Sequence, residues 1–312
     1  MLFSIFNSQF SIQTPPVLRA AVIIFLLPLN LLLWGTAVLV GGLAKLLTFG
    51  RARHGVIRFL SWLAERWVQG NDQIFDWFLS TEWRIEGFEG LRPDGRYLMI
   101  CNHVSWIDIF AVLRAVRFGG APFIRFFLKH RLFWFPILGQ ACAALDFPFM
   151  RRYSPEYLKH HPEKRGRDLE TTRRACQRYQ HIPVTVANFL EGTRFTRQKH
   201  EDQQSPYRHL LRPRISGLGF VLASLGDQFD AILDVTLVYP HRDVTMWDFV
   251  TNRIPWILVR ARRIEVPAEF LSATVTEPGP ARERFKEWVN ALWRAKDEET
   301  TRILVEGRIG GR

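Results

Sequence analysis

Hydrophobic positions along the chain fall into three regimes. Residues 20 to 44 carry no charge, and Arg19 and Lys45 bracket them. A helix of about 20 apolar residues crosses a bilayer, so the pattern predicts a transmembrane anchor within residues 1–50. Pro28 and Asn30 leave open a kink or a re-entrant hairpin. The stretch is too long for a signal-peptide core, and no strongly basic segment precedes it. Residues 51–81 form the second regime. Val56, Leu60, Leu63 and Trp67 recur at helical spacing, with Arg58, Glu65 and Arg66 elsewhere around the wheel. Trp62, Trp67 and Trp77 add interfacial aromatics. One or two amphipathic helices are expected here, broken near Gly70-Asn71-Asp72. Periodicity alone does not separate helices lying on a membrane from helices packed on a domain.

The third regime, residues 82–312, alternates between strand and helix patterns. Strands are expected at residues 83–86, 96–101, 184–189, 231–239 and 257–266. Helices are expected at 107–117, 131–144, 168–179, 214–225 and 281–302. That succession predicts an α/β domain, a mixed sheet flanked by helices. Residues 153 to 167 and 195 to 213 are polar and charged, and read as long surface loops.

Charge and composition narrow the partners. Lys and Arg total 42 against 30 Asp and Glu, a formal net charge of +12, which favours anionic partners. Eleven tryptophans and 25 phenylalanines tilt that choice toward membrane phospholipids. No zinc-finger, RNP-like or helix-turn-helix pattern supports nucleic acid. Cys101, Cys142 and Cys176 lie far apart, so neither a disulfide framework nor a zinc site is expected. No metal or organic cofactor is implied, and His160, His161 and His200 read as loop residues. Lys45, Arg51, Arg53 and Arg58 follow the apolar stretch. The positive-inside tendency then puts the domain C-terminal to the anchor in the cytoplasm, at the inner membrane if the chain is bacterial.

Two segments carry candidate chemistry. The first is Asn102-His103-Val104-Ser105-Trp106-Ile107-Asp108, after the apolar run Tyr97–Cys101. Helical spacing would not bring His103 and Asp108 together. They can meet if His103 sits in the turn before a helix and Asp108 in its first turn. Ser105 with Asp108 forms a capping-box-like start that supports this. A carboxylate on an imidazole fixes its tautomer and raises its basicity, as a general base acting on a hydroxyl requires. Alternatively, Asp108 is only a helix-start residue and His103 only a loop histidine. The second segment is Phe189-Leu190-Glu191-Gly192-Thr193-Arg194, after the β-branched run from Val184. Gly192 permits a tight turn, and the Arg194 guanidinium can fork onto a phosphate.

Together these segments resemble the glycerolipid acyltransferase family, whose best-known members are the 1-acyl-glycerol-3-phosphate acyltransferases. Asn102, His103, Ser105 and Asp108 match its Asn-His-x-Ser-x-x-Asp motif in full. Phe189, Glu191, Gly192, Thr193 and Arg194 match its Phe-Pro-Glu-Gly-Thr-Arg motif, with Leu190 in place of proline. A further block is similar to Lys129–Leu132 with Pro136, Gly139 and Phe149–Arg152, and a fourth to Asp234–Pro240. The four stand in family order across roughly residues 95 to 240.

The resemblance implies His103 as base and Asp108 as its orienting carboxylate. The lipid hydroxyl would attack directly, with no protein nucleophile; no Gly-x-Ser-x-Gly elbow surrounds Ser105. Asn102 or backbone N–H groups at the helix start would serve the oxyanion. Arg194, with Glu191, Gly192 and Thr193 shaping its turn, would clamp the acceptor phosphate. Arg151 or Arg152 would add a second cation, with Lys129 a weaker candidate. The aromatic run Phe123–Phe135 is either an acyl-chain groove or simply core. The implied donor is acyl-coenzyme A or acyl carrier protein, the acceptor a lysophospholipid, and the product phosphatidic acid. Remodelling of another lysophospholipid, or a catalytically silent lipid-binding protein, are the competing expectations.

Overall fold

The computed structural model describes residues 15–151, 157, 160, 161, 167–179, 182–241 and 243–309. Two long helices come first, α1 (Pro16–Leu46) and α2 (Gly50–Phe78). The domain that follows contains strands β1 (Glu82–Glu86), β2 (Arg96–Cys101), β3 (Ile124–Phe126), β4 (Leu128–Lys129), β5 (Phe149–Met150), β6 (Val184–Phe189), β7 (Ala231–Val238) and β8 (Trp256–Ile264). Its α-helices are α3 (Ile107–Phe118), α4 (Leu138–Ala144), α5 (Arg167–Tyr179), α6 (Arg197–Asp202), α7 (Ile215–Leu225), α8 (Met246–Val250) and α9 (Pro280–Ile309).

The main sheet runs β1-β8-β7-β2-β6-β3, and β4 pairs separately with β5. Its neighbours are parallel except β7 and β8, so the sheet is mixed, as the sequence predicts. Period-2 alternation divides the core between two faces. Tyr97, Met99 and Cys101 of β2 face the layer containing α1, α2 and α3, whereas Leu98 and Ile100 face α5, α7 and α9. Chain order reverses around the central β2. From β2 the chain moves to β3 beyond β6; from β6 it crosses to β7 on the other side. In open α/β sheets, ligands bind beyond the carboxyl ends of strands at such a switch. The segments after β2 and β6 are the two motif segments.

Several expectations need correction. Residues 20–44 belong to one uninterrupted helix, with neither hairpin nor break at Pro28. Helix α2 also runs unbroken through Gly70-Asn71-Asp72. Gly70 is there for close approach: a Cβ would lie 2.4 Å from Asn30 Oδ1. The Asn30 amide donates to Trp67 O and Asn71 Oδ1, both at 2.9 Å. Asp72 accepts from Arg117 Nε at 2.6 Å, joining α2 to α3. These three residues dock the helix.

The helix expected over 131–144 divides into a 3-10 turn at His130–Trp134 and helix α4. Pro136 lacks the N–H that a continuous helix needs, and Ile137 adopts φ +64°. Residues 195–213 hold α6, capped by Thr196 accepting from Lys199 N, and bury Tyr207, Leu210 and Leu211. Most of 153–167 lies outside the described residues.

Helix α1 has two unlike faces. Ala20, Ile23, Val38 and Lys45 are buried, while Phe25, Leu29, Leu33 and Leu43 are exposed. Lys45 pairs with Asp146 after α4. The helix is long and apolar enough to cross a membrane, yet one face is committed to the domain. On α2, Leu60, Leu63 and Phe75 are buried while Phe59, Trp62 and Trp77 are exposed.

The opposite layer is pinned by charge. Lys296 of α9 is fully buried and lies 2.7 Å from Asp234 of β7, which also accepts from Arg262 at 2.7 Å. Removing one partner of a buried ion pair strands the other. Lys296→Ala should therefore cost about 3 kcal/mol. Thermal denaturation should read this as a fall of roughly 5–10 °C in Tm.

Candidate active site

The turn after β2 is built around a carboxylate. Asp108, fully buried in the first turn of α3, accepts Val104 N at 2.6 Å and Ser105 N at 2.9 Å on Oδ2. The same oxygen lies 2.8 Å from His103 Nδ1. Its other oxygen accepts the Tyr239 hydroxyl at 2.5 Å. Because Asp108 is acceptor-only when ionised, Nδ1 carries the proton toward it and Nε2 is left as the acceptor nitrogen. The imidazole stacks on Phe189 at 4.2 Å and retains 15% side-chain exposure. The helix start is half of the expected capping box: Asp108 accepts from Ser105 N, while Ser105 Oγ accepts from Ile107 N at 3.5 Å.

The turn after β6 is fastened to the first. Phe195 N donates to His103 O at 2.8 Å, and Leu190 N donates to Cys101 O at 3.1 Å. Gly192 adopts φ +68°, a conformation that favours glycine. Glu191, expected to shape the turn beside Arg194, points inward, accepting from His103 N and Leu211 N at 3.3 Å each. Burial holds its carboxyl well above the usual carboxylate range, although those two N–H groups pull it partly back. Asn102 is likewise inward. Its amide brackets Leu237 of β7, donating to O at 2.9 Å and accepting from N at 2.8 Å. Its side chain is thus committed to the sheet and is no oxyanion donor; the N–H groups of Val104 and Ser105 are committed to Asp108.

Arg194 does face the open side. Its guanidinium lies over the Trp106 ring at 4.5 Å. Lys199 Nζ holds the turn from behind, donating to Thr193 Oγ1 at 2.8 Å and Arg194 O at 3.0 Å. Partial burial, then the charges of Arg194 and Lys129, pull that lysine below its ordinary value. Arg151 is exposed at the end of β5 and lies off the cavity wall, and Arg152 lies outside the described residues. Among the described residues, Lys129, Arg131 and Arg194 are the cations lining the cavity.

That cavity, about 1040 Å³, is predominantly apolar and reaches His103. Leu31, Trp34 and Val38 of α1 form one wall. Phe123, Phe126, Phe127 and Phe135 form another, so the aromatic run is both core and lining. Sequence reasoning assigned no role to Tyr239, Arg131, Lys199 or the inner face of α1. Alternation of Leu233, Val235 and Leu237 places Tyr239 on the dyad's face of the sheet. Nothing local marks Lys199. No group of three or more His, Cys, Asp or Glu suited to a metal occurs among the described residues.

The buried carboxyl of Glu191 gives a pH signature. An unfolded glutamate ionises above about pH 4.3. The folded chain keeps that proton to a higher pH, so stability falls as pH rises toward the folded value. Glu191→Gln should abolish this slope while keeping only one of the two backbone contacts, since its amide NH2 cannot accept a backbone N–H. Glu191→Ala should instead lower stability by about 1–3 kcal/mol. Thermal denaturation of both variants from pH 5 to 9 checks the pair; a slope unchanged in the Gln variant would contradict it.

The Acyltransferase family profile matches residues 82–239. Mouse 1-acyl-sn-glycerol-3-phosphate acyltransferase epsilon is 25% identical over 235 residues, covering 67% of this chain and 57% of the relative. Zebrafish lysocardiolipin acyltransferase 1 is 23% identical over 287 residues, 86% of this chain and 68% of that one. The chain thus spans little more than half the length of the mouse relative. The crystal structure of the 1-acyl-sn-glycerophosphate (LPA) acyltransferase PlsC from Thermotoga maritima superposes with a TM-score of 0.56 at 15% identity. That similarity covers 91% of this chain and 95% of the other, and extends the shared fold into the N-terminal helices. With the family profile spanning half of its residues, the chain belongs to the Acyltransferase family.

Proposed function

We propose that the protein transfers a fatty acyl group from a thioester, acyl-coenzyme A or acyl-acyl carrier protein, to the free hydroxyl of 1-acyl-sn-glycerol-3-phosphate, giving phosphatidic acid. One observation carries this reading. The dyad imidazole and the cations Lys129, Arg131 and Arg194 border the same apolar cavity. Such a site suits a substrate with an apolar chain, a hydroxyl and an anionic headgroup.

The chemistry follows from the geometry. His103 Nε2 takes the proton of the acceptor hydroxyl as its oxygen attacks the thioester carbonyl. Asp108 holds the ring and stabilises the imidazolium that forms. Collapse of the tetrahedral intermediate breaks the carbon–sulfur bond, and the departing thiolate receives the proton from His103. Arg194, buttressed by Trp106 and Lys199, binds the headgroup phosphate with Lys129 and Arg131. Holding both reactants in one cavity supplies the orientation that a bimolecular step lacks in water.

A second headgroup is the leading alternative, supported by alignment of 86% of the chain with the zebrafish relative named a lysocardiolipin acyltransferase. A silent lipid-binding role leaves the oriented imidazole without a purpose. The bare face of α1 and the exposed Phe59, Trp62 and Trp77 of α2 support membrane association. The basic residues from Lys45 onward support a cytoplasmic catalytic domain. A reporter fused at Arg312 should be active only on the cytoplasmic side; activity only across the membrane would overturn that orientation.

The decisive assay gives the purified protein a panel of lysophospholipids and labelled acyl-coenzyme A, with acyl carrier protein as a second donor. Phosphatidic acid should be the main product. Faster turnover of another headgroup would establish the alternative, and no transfer from either donor would sink both. His103→Ala should lower turnover about 10²- to 10⁴-fold in a folded, membrane-bound protein. Arg194→Ala should raise KM for the acceptor more than for the donor, with partial rescue by Arg194→Lys. Equal effects on both substrates would mean that Arg194 shapes the site without binding phosphate.

A further inference from the structure

Asp108 distributes its oxygens unequally. Oδ2 takes three donors, all from the turn that carries His103: His103 Nδ1, Val104 N and Ser105 N. Oδ1 takes its hydrogen bond from a distant part of the chain, the Tyr239 hydroxyl at 2.5 Å. Tyr239 directly follows β7, is 3% exposed, and is anchored on both sides. Before it, the Asn102 amide brackets Leu237. After it, Pro240 ends the strand run.

We propose that Tyr239 is a positioning residue for the dyad, its phenol fixing the plane and the charge of the Asp108 carboxylate against His103. The inference rests on the acyltransferase reading for its rate arm alone. Carboxylate rotation about χ2 is soft, because that torsion is broad. Donors on Oδ2 alone leave the buried carboxylate free to swing about that oxygen. A donor on Oδ1 from a separate strand removes the freedom. The phenol also draws charge from the carboxylate. Without it, more negative charge faces the imidazole, and the imidazolium becomes more stable.

The surroundings leave this pair dominant. Burial pushes the Cys101 thiol up to about 12, and Glu191 is held well above the carboxylate range. The Cys101 thiol is therefore uncharged across the pH range in which the rate is read. Lys296 acts on Cys101 and Glu191 from α9. Lys129, Arg131 and Arg194 border the open side of the cavity. Burial and the Asp108 charge hold the Tyr239 phenol well above its ordinary value, so it remains a donor.

Tyr239→Phe removes one oxygen and keeps the ring. In this variant, kcat should fall about 10- to 100-fold with both KM values little changed, the scale of a hydrogen bond to a charged group. The acid limb of the pH–rate profile should move to higher pH. In an Asp108→Asn background, the same substitution should have little further effect. A substrate-free arm separates this inference from the acyltransferase reading. Carbon-13-labelled histidine, with the His103 resonance assigned by its loss in His103→Ala, should titrate at higher pH in Tyr239→Phe. An upward shift supports positioning even if no lysophospholipid is acylated. An unshifted resonance overturns the proposal, as does wild-type kcat. A loss of rate that matches a loss of folded protein, with an unmoved pH profile, reduces Tyr239 to a packing residue.

Discussion

A carboxylate buried beyond reach of water must be surrounded by donors, because an unpaired charge there costs several kcal/mol. Asp108 meets that demand with groups from two regions of the chain, and so dictates where they stand. The turn between β2 and α3 wraps around its Oδ2. The residue following β7 comes down on Oδ1. One residue before the dyad, Asn102 binds both backbone groups of Leu237, so β2 and β7 are clamped where their pairing ends. Across the other edge of β2, Glu191 accepts the His103 N–H and Phe195 donates to the His103 carbonyl. The imidazole is held by its ring, its own backbone, and the strands on both sides.

This arrangement redistributes the motif residues. Five polar positions that read alike in sequence divide into two kinds in space. Asn102, Asp108 and Glu191 face inward and build the frame. His103 and Arg194 face the cavity and meet what enters it. Substitution of an inward residue would still abolish activity, by dissolving the frame. Loss of activity alone therefore does not separate the two kinds.

The fold was largely legible because the central strands, buried on both faces, read as short apolar runs, and 184–189 adds β-branched residues. Residues 96–101 and 184–189 are strands to the residue. The faults lie where tertiary packing overrides local grammar. Gly70-Asn71-Asp72 carries a turn composition, yet each residue has a docking partner, and the helix continues. Pro136 sits in an apolar, helix-like stretch, and there the local rule won. The dyad was legible because its partners are five residues apart; Tyr239 was not, because 131 residues separate it from Asp108. Lys199 was hidden for another reason, since a lysine in a polar loop resembles any solvated charge.

The helix pair also changes what an anchor is for. Asn30 is a polar residue in an otherwise apolar helix, and such groups face a protein interior where partners exist. Here the partner is α2, and the contact sets the register of two helices that wall the cavity. The opposite face of α1 is bare and apolar. One helix therefore offers a bare apolar face suited to lipid on one side and lines the candidate acyl site on the other. A chain entering from the bilayer would exchange one apolar environment for another, so burial supplies little net driving force. In the proposed reaction, selectivity would then come from the polar end of the cavity, which Lys129, Arg131 and Arg194 border. Those same cations oppose a positive imidazolium in the cavity. An anionic headgroup offsets them, while the buried Asp108 holds the imidazolium from behind. In the proposed reaction, acceptor binding and proton transfer would in this way be coupled through charge at a single site.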